Sequence, residues 1–129
     1  EIATQQIKAG ADVIFQAAGG SGAGIIEAAS QQKIFVIGSD SDQTLIVPED
    51  HKPFVLTSMI KRCDLAVYET IKSLVNQELK GGCREFDLRM SGVGYAENDY
   101  NKSLIAEIKP RLEEIKAKII SGENKVPTN

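Results

Sequence analysis

The fold is decided by residues 11–40, which read ADVIFQAAGGSGAGIIEAASQQKIFVIGSD. Two short apolar runs, Ala11–Phe15 and Ile34–Ile37, enclose a glycine-rich turn and a segment of helical pattern from about Ala23 to Gln32. Continuous apolar runs are typical of strands that helices cover on both faces of a parallel sheet. The order strand, loop, helix, strand predicts a βαβ unit with a right-handed crossover. We therefore expect an α/β fold whose parallel sheet lies in a three-layer arrangement.

The rest of the chain continues this pattern. The predicted elements are a strand at Phe54–Ser58, a helix at about Arg62–Lys80 that stops at Gly81-Gly82, a half-exposed strand at Glu85–Met90, a turn or short strand at Ser91–Tyr95, and helix from about Lys102 to Ser121. Pro110 restarts or kinks that last helix because it has no N–H to donate to the preceding turn. The aromatic side chains Phe15 and Phe35 lie inside apolar strands, so we expect both in the core.

Length and charge set limits on function. The 129 residues suit one domain, and the formal net charge of −3 argues against a nucleic-acid partner. No apolar stretch approaches the roughly 20 residues that a membrane-spanning helix needs. The first ten residues have a helical pattern with no cap before it and no signal-peptide character, which favours a segment of a larger protein.

Cysteine and histidine offer little chemistry. Cys63 and Cys83 lie in different predicted elements, where two thiols are favoured over a disulfide, although sequence alone leaves the pairing open. The single histidine, His51, sits in a polar stretch and is expected to be an exposed loop residue. Nucleophilic catalysis by a Ser-His-Asp or Cys-His arrangement would have to use that one residue, so it has little support.

Two loops follow predicted parallel strands, where ligands bind in open α/β sheets. Gly19-Gly20-Ser21-Gly22 precedes a helix, and its glycines allow close approach of a ligand to the backbone. The loop lacks the Lys-Ser/Thr of a phosphate-binding Walker loop and the spacing of a dinucleotide-binding motif. We expect a tight strand-to-helix turn that borders a ligand.

Asp40 and Asp42 follow the second strand. A carboxylate there can accept two hydrogen bonds from the vicinal hydroxyls of a sugar. One of the two acids could instead cap a turn, and position alone leaves these interpretations even. A divalent cation needs more converging oxygen ligands than two acids supply, so a metal site is not expected. No motif requires a cofactor, and none is expected. Lys61, just beyond the third strand, suits either donation to ligand hydroxyls or a solvated position in the first turn of a helix.

Several motifs together resemble the basic membrane protein family, the lipoproteins of nucleoside-binding type that serve ABC transporters. The resemblance rests on residues 11–24 and on Ile37-Gly38-Ser39-Asp40-Ser41-Asp42-Gln43, and it continues in Val55–Arg62, Gly92-Val93-Gly94 and Ile119–Gly122 with Lys125-Val126-Pro127. In the glycine loop the family more often has threonine where this chain has Ser21. The stretch Tyr95–Tyr100 departs from the family pattern.

The resemblance implies an incomplete lobe of a type I periplasmic-binding-protein fold, with the N-terminal lobe of the same protein outside this chain. Residues 1–53 would belong to the second lobe, residues 54–90 partly to the first lobe across the hinge, and residues 91–129 to a return segment and C-terminal helix. By position, Asp40 would bind ribose hydroxyls and Lys61 would reach the same ligand from the hinge. Gly19 and Gly20 would lie beside the bound nucleoside.

The expected function is therefore non-catalytic. The protein would be an extracytoplasmic, membrane-anchored lipoprotein that closes two lobes on a nucleoside, purine by preference, and delivers it to the permease of an ABC transporter. Two other classes stay open: a doubly wound enzyme that acts on a sugar or phosphate compound, and a regulator that senses an effector with the same fold.

Overall fold

A computed structural model describes residues 1–127. The helices are α1 (Ile2–Lys8), α2 (Gly22–Gln31), α3 (Cys63–Val75), α4 (Lys102–Ile105) and α5 (Lys109–Ser121), and the strands are β1 (Val13–Phe15), β2 (Phe35–Gly38), β3 (Val55–Lys61) and β4 (Val93–Tyr95). Short 3-10 turns lie at Gly19–Ser21, Gln43–Leu45 and Lys52–Phe54. None of the helices within this described range is long and apolar enough to cross a membrane.

The four strands form one sheet in the order β1-β2-β3-β4. β1 pairs with β2, and β2 with β3, in parallel, which confirms the predicted α/β class and the βαβ unit. β4 follows β3 in the opposite direction, since Ala96 donates to the carbonyl of Ser58 while Arg62 donates to that of Gly92. The sheet is therefore mostly parallel, with one antiparallel edge strand.

The chain divides into two compact units. Unit 1 comprises residues 1–60 and 95–107, and unit 2 comprises residues 61–94 and 108–129. β3 passes from unit 1 into unit 2, and β4 leads back. The assignment of residue ranges to the lobes of a larger protein stays a prediction.

The core of unit 1 lies between α2 and the sheet. Its centre is a cluster of fully buried side chains: Ile26, Ala29, Val36 and Val55. Helix α2 supplies the first two because its apolar residues recur at helical spacing. On the opposite face of β1, Val13 is 39% exposed. Phe15 is 58% exposed, so its predicted place in the core is wrong.

Unit 2 contains the largest departures from the predicted elements. Helix α3 ends at Val75, well before Gly81, because Gln77 adopts a positive φ of 60°. The N–H of Gln77 donates to the carbonyl of Leu74, and that of Glu78 to the carbonyl of Ser73, the bonding pattern of a Schellman cap. A glutamine therefore performs the stop that the sequence pattern assigned to glycine.

The predicted strand at Glu85–Met90 is also wrong. The side chain of Asp87 accepts hydrogen bonds from the N–H groups of Arg89 and Met90 at 2.9 and 3.2 Å. The N–H of Gly92 then donates to the carbonyl of Asp87, which closes a turn. Alternating polarity in this stretch reflects a turn held by an aspartate rather than a strand.

The C-terminal helix is divided as Pro110 indicated. Residues 106–108 separate α4 from α5, and the proline occupies the first turn of α5, where its missing N–H has no partner to lose. Gly122 ends α5 with a left-handed φ of 82°, as predicted.

Candidate ligand-binding site

The predicted site residues of unit 1 lie at the carboxyl ends of neighbouring parallel strands. β1 leads into the turn that contains Gly19 and Gly20, and β2 leads into Ser39 and Asp40. Because β1 and β2 are parallel and in register, both loops leave the sheet at the same edge. The structure thus brings the glycine turn and the Asp40 loop to one edge.

The turn after β1 is built on a buried glutamine. The Gln16 side chain is 4% exposed, and its Oε1 accepts a hydrogen bond from the Ala18 N–H at 3.0 Å. A Cβ on Gly22 would lie 2.7 Å from the amide atoms of Gln16, so a larger residue where α2 begins would displace this buried amide. Gly19 and Gly20 are exposed. Apart from their neighbours in the chain, no residue has an atom within 4 Å of the position that a Cβ would occupy. Their backbone is accessible to a ligand.

The loop after β2 forces an aspartate into an uncommon conformation. Asp40 is exposed and has φ of 72°, in the left-handed region. The N–H of Ser41 donates to the carbonyl of Ser39 at 3.0 Å, which spans Asp40 in a γ-turn. The positive-φ form of this turn is rare and strained for residues other than glycine. Residues around the turn must therefore hold Asp40 in this conformation.

Asp42, the second acid of the loop, has a structural role. Its Oδ1 accepts hydrogen bonds from the N–H and hydroxyl of Thr44 at 3.0 and 2.8 Å and so caps the 3-10 turn. Its Oδ2 accepts a third from Asn98 Nδ2 at 2.9 Å. These three bonds occupy the carboxylate of Asp42 within the protein, so the turn-capping interpretation holds for this acid.

A bulge beside this loop explains a buried asparagine. Val36 pairs with Val55 and Ile37 with Thr57, so Leu56 is an extra residue in β3. Asn101 is fully buried, and its Nδ2 donates to the carbonyls of Leu56 and Ala96 at 3.0 and 2.9 Å. Its Oδ1 accepts the N–H of Asn98 at 2.8 Å. This residue joins the bulge to the segment that carries Asn98.

A charged cluster fixes the loop that precedes β3. The carboxylate of Glu49 accepts hydrogen bonds from Lys52 Nζ at 2.6 Å and from the Tyr100 hydroxyl. The bond to Lys52 is the main cause that lowers the pKa of Glu49, and Glu49 raises the pKa of Tyr100. Lys52 Nζ also lies 5.4 Å from the centroid of the Tyr100 ring. Residues 96–101 therefore contact both the loop at Asp42 and the loop at Glu49.

The other candidate residues are placed as follows. Lys61 is exposed at the end of β3 and belongs to unit 2, so its pairing with Asp40 in one site stays a prediction. His51 is half-buried in its loop, where an exposed position was expected, and its Nε2 lies 4.0 Å from Asp50. Cys63 and Cys83 are exposed free thiols. Among residues 1–127, no group of three or more His, Cys, Asp or Glu side chains is placed to hold a metal ion.

Sequence reasoning missed the polar residues behind the loops: Gln16, Gln43, Ser58, Asn98 and Asn101. All but Asn98 are buried, and all are hydrogen-bonded within unit 1. One local signal was available, since Asn101 directly precedes the predicted helix, although its side chain makes no capping hydrogen bond. Gln43 and Ser58 bond to each other although they lie 15 residues apart in the chain, so this contact could only be found from the fold.

Comparison with known proteins decides the family. The sequence model for the family described as ABC transporter substrate-binding protein PnrA-like matches residues 1–129. The chain belongs to this PnrA-like family. The family consists of substrate-binding proteins, and the basic membrane protein resemblance is confirmed.

Two curated relatives of this PnrA-like chain are each 36% identical to it. The CD4+ T-cell-stimulating antigen of Listeria monocytogenes matches over 98% of the chain and 39% of its own length. Basic membrane protein D of Borreliella burgdorferi matches over 97% of the chain and 37% of its own length. The chain therefore spans less than half the length of these relatives.

Solved structures share the fold. An ABC transporter solute-binding protein from Aeropyrum pernix superimposes with a TM-score of 0.75 at 26% identity, over 99% of this chain and 43% of its own. A transcriptional activator of the comK gene from Bacillus halodurans superimposes with a TM-score of 0.81 at 20% identity, over 95% of this chain and 41% of its own. The second likeness shows the fold alone.

Proposed function

We propose that this chain is part of an extracytoplasmic lipoprotein that binds a nucleoside and delivers it to the permease of an ABC transporter. The single observation that carries the proposal is the Asp40 turn at the carboxyl end of β2, in a chain of the PnrA-like family. Proteins of the matched family bind substrates for ABC transporters, and one relative is named a basic membrane protein.

The chemistry of Asp40 suits a sugar ligand. An ionised carboxylate has two oxygens that accept hydrogen bonds, and the two adjacent hydroxyls of a ribose can donate one to each. Such bonds are stronger than neutral ones because the acceptor is charged. Asp40 is solvent-exposed and follows the carboxyl end of β2.

The glycine turn after β1 supports the same site. Gly19 has φ of 53°, and both Gly19 and Gly20 leave their backbone uncovered by side chains. A flat ligand can approach such a backbone closely. Lys61 would complete the ligand contacts from the end of β3, where its ammonium group can donate to hydroxyl or carbonyl oxygens.

Titration calorimetry of the full-length protein with adenosine, guanosine, inosine, cytidine and uridine tests the proposal. Asp40→Asn keeps a residue that tolerates a positive φ but removes the charge. It is expected to weaken binding roughly tenfold to a hundredfold, because a hydrogen bond to a charged group contributes about 1.5–3 kcal/mol. Asp12→Asn is the matched control, since Asp12 is exposed and precedes β1 at the opposite end of the strand.

The control variant should bind like the wild type. Failure of every nucleoside to bind, or unchanged affinity in Asp40→Asn, would overturn the proposal. Chemical turnover of a bound nucleoside would point instead to an enzyme.

A further inference from the structure

Gln43 stands directly behind the Asp40 turn. Its side chain is 8% exposed, and Nε2 donates to the carbonyl of Ser39 at 2.9 Å and to that of Ser41 at 3.3 Å. These two carbonyls flank Asp40 on either side in the chain. One side-chain amide therefore bonds the peptide group that directly precedes Asp40 and the peptide group that follows Ser41.

Gln43 is itself anchored to the sheet. Its N–H donates to the hydroxyl of Ser58 at 3.1 Å, and Ser58 is fully buried in β3. Ser58 pairs in register with Gly38, the last residue of β2. A Cβ on Gly38 would lie 2.7 Å from the Ser58 hydroxyl and would also meet the Gln43 side chain, so glycine leaves the space that both occupy.

The conformation at Asp40 requires such support. A residue other than glycine in the left-handed region persists only where its surroundings hold it there. The γ-turn hydrogen bond between Ser41 and Ser39 spans a single residue and is local. The two bonds from Gln43, in contrast, connect the turn to β3 through Ser58.

We propose that Gln43 is the positioning residue of Asp40: its amide holds the γ-turn that aims the carboxylate, and so sets ligand affinity without contact with the ligand. This inference rests on the proposed function, because it takes Asp40 as a ligand contact. Removal of the amide lets the turn relax toward negative φ, which redirects the carboxylate.

A double-mutant cycle in the full-length protein tests the inference. Gln43→Met keeps the length of the side chain and removes both donors, and Asp40→Gly removes the carboxylate while it tolerates the positive φ. The probe is the nucleoside of the panel above that binds the wild type most tightly. Gln31→Met is the matched control, since Gln31 is an exposed glutamine on α2.

Gln43→Met is expected to weaken binding about tenfold, or about 1.4 kcal/mol. In the Asp40→Gly background the same substitution is expected to change affinity less than about twofold, because no carboxylate is left to aim. Gln31→Met should leave affinity unchanged in both backgrounds. Gln43→Leu, which is neutral and also lacks the Nε2 hydrogens, is the second variant, and it should show the same loss if Gln43→Met fails to fold.

Three outcomes would overturn the inference, and they are distinguishable. Unchanged affinity in Gln43→Met excludes a positioning role while the proposed function stands, provided that Asp40→Gly weakens binding. Equal losses in both backgrounds show a general structural effect of Gln43. Unchanged affinity in Asp40→Gly would show that Asp40 does not contact the ligand, which overturns the proposed contact together with this inference.

Discussion

Helices α2 and α3 are both amphipathic, yet they differ in what covers their apolar faces. In α2, Ile26 and Ala29 are fully buried against the sheet. Within the described chain α3 has no buried residue, and Ile71 and Leu74 are 56% and 62% exposed. Periodicity therefore identifies a helix and its apolar face, but the packing partner determines how much that face stabilises the fold.

The polar residues of the two units also differ in burial. In unit 1, buried Gln43, Ser58 and Asn101 bond to backbone groups across the sheet edge. The ion pair of Arg62 with Asp64 in unit 2 is exposed. A buried network can hold a strained turn, whereas exposed ion pairs contribute little to stability. We therefore expect stability and ligand geometry to depend on unit 1.

Truncation of the two apolar faces gives the largest expected contrast. Ile26→Ala leaves a cavity in the core and should lower the free energy of unfolding by about 3–4 kcal/mol. Ile71→Ala on α3 should lower it by less than about 1 kcal/mol, because the side chain is mostly exposed. Urea unfolding of the two variants measures both values. Equal losses would show that the face of α3 is buried in solution.

Removal of the buried asparagine should have the next largest effect. Asn101→Ala leaves the carbonyls of Leu56 and Ala96 without their donor and should lower the free energy of unfolding by about 3 kcal/mol. Asn124→Ala, at an exposed asparagine, is the control and should change it by less than about 0.5 kcal/mol. A loss below about 1 kcal/mol in Asn101→Ala would contradict the role of the bulge.

Substitutions at the two acids of the Asp40 loop should change the free energy of unfolding by different amounts. Asp42→Ala loses the cap on Thr44 and the bond from Asn98, so the free energy of unfolding should fall by about 1–2 kcal/mol. Asp40→Gly should lower it by less than Asp42→Ala does, since glycine adopts a positive φ without strain. Thermal unfolding compares the pair, and a reversed order would contradict this division of roles.

The smallest effect concerns the ion pair at the start of α3. Hydrogen bonds from Arg62 lower the pKa of Asp64 to about 2. A lowered pKa means that any stabilisation is complete above the ordinary value near 3.8 and is lost as the pH falls toward 2. NMR titration of the Asp64 carboxyl should show this midpoint, and Arg62→Gln should return it toward 3.8. An unchanged midpoint in Arg62→Gln would contradict the assigned cause.

Local sequence patterns predicted the βαβ unit because apolar runs, glycine turns and helical spacing act within a few residues of one another. They failed at Gln77, where a polar residue adopts the left-handed stop, and at Asp87, whose side chain closes a turn. They placed Phe15 in the core because sequence shows that a side chain is apolar but not what covers it. The edge of the sheet that carries Asp40 was predictable, whereas its support by Gln43 and Ser58 depends on the pairing of β2 with β3.

The most direct test of the account is a crystal structure of the full-length protein with the nucleoside that it binds most tightly. We expect both carboxylate oxygens of Asp40 within about 3 Å of the ribose hydroxyls, the usual length of such a hydrogen bond. Gly19 and Gly20 should border the ligand, and Asp40 should keep its positive φ. A nucleoside bound elsewhere, with Asp40 in contact only with solvent, would contradict the account.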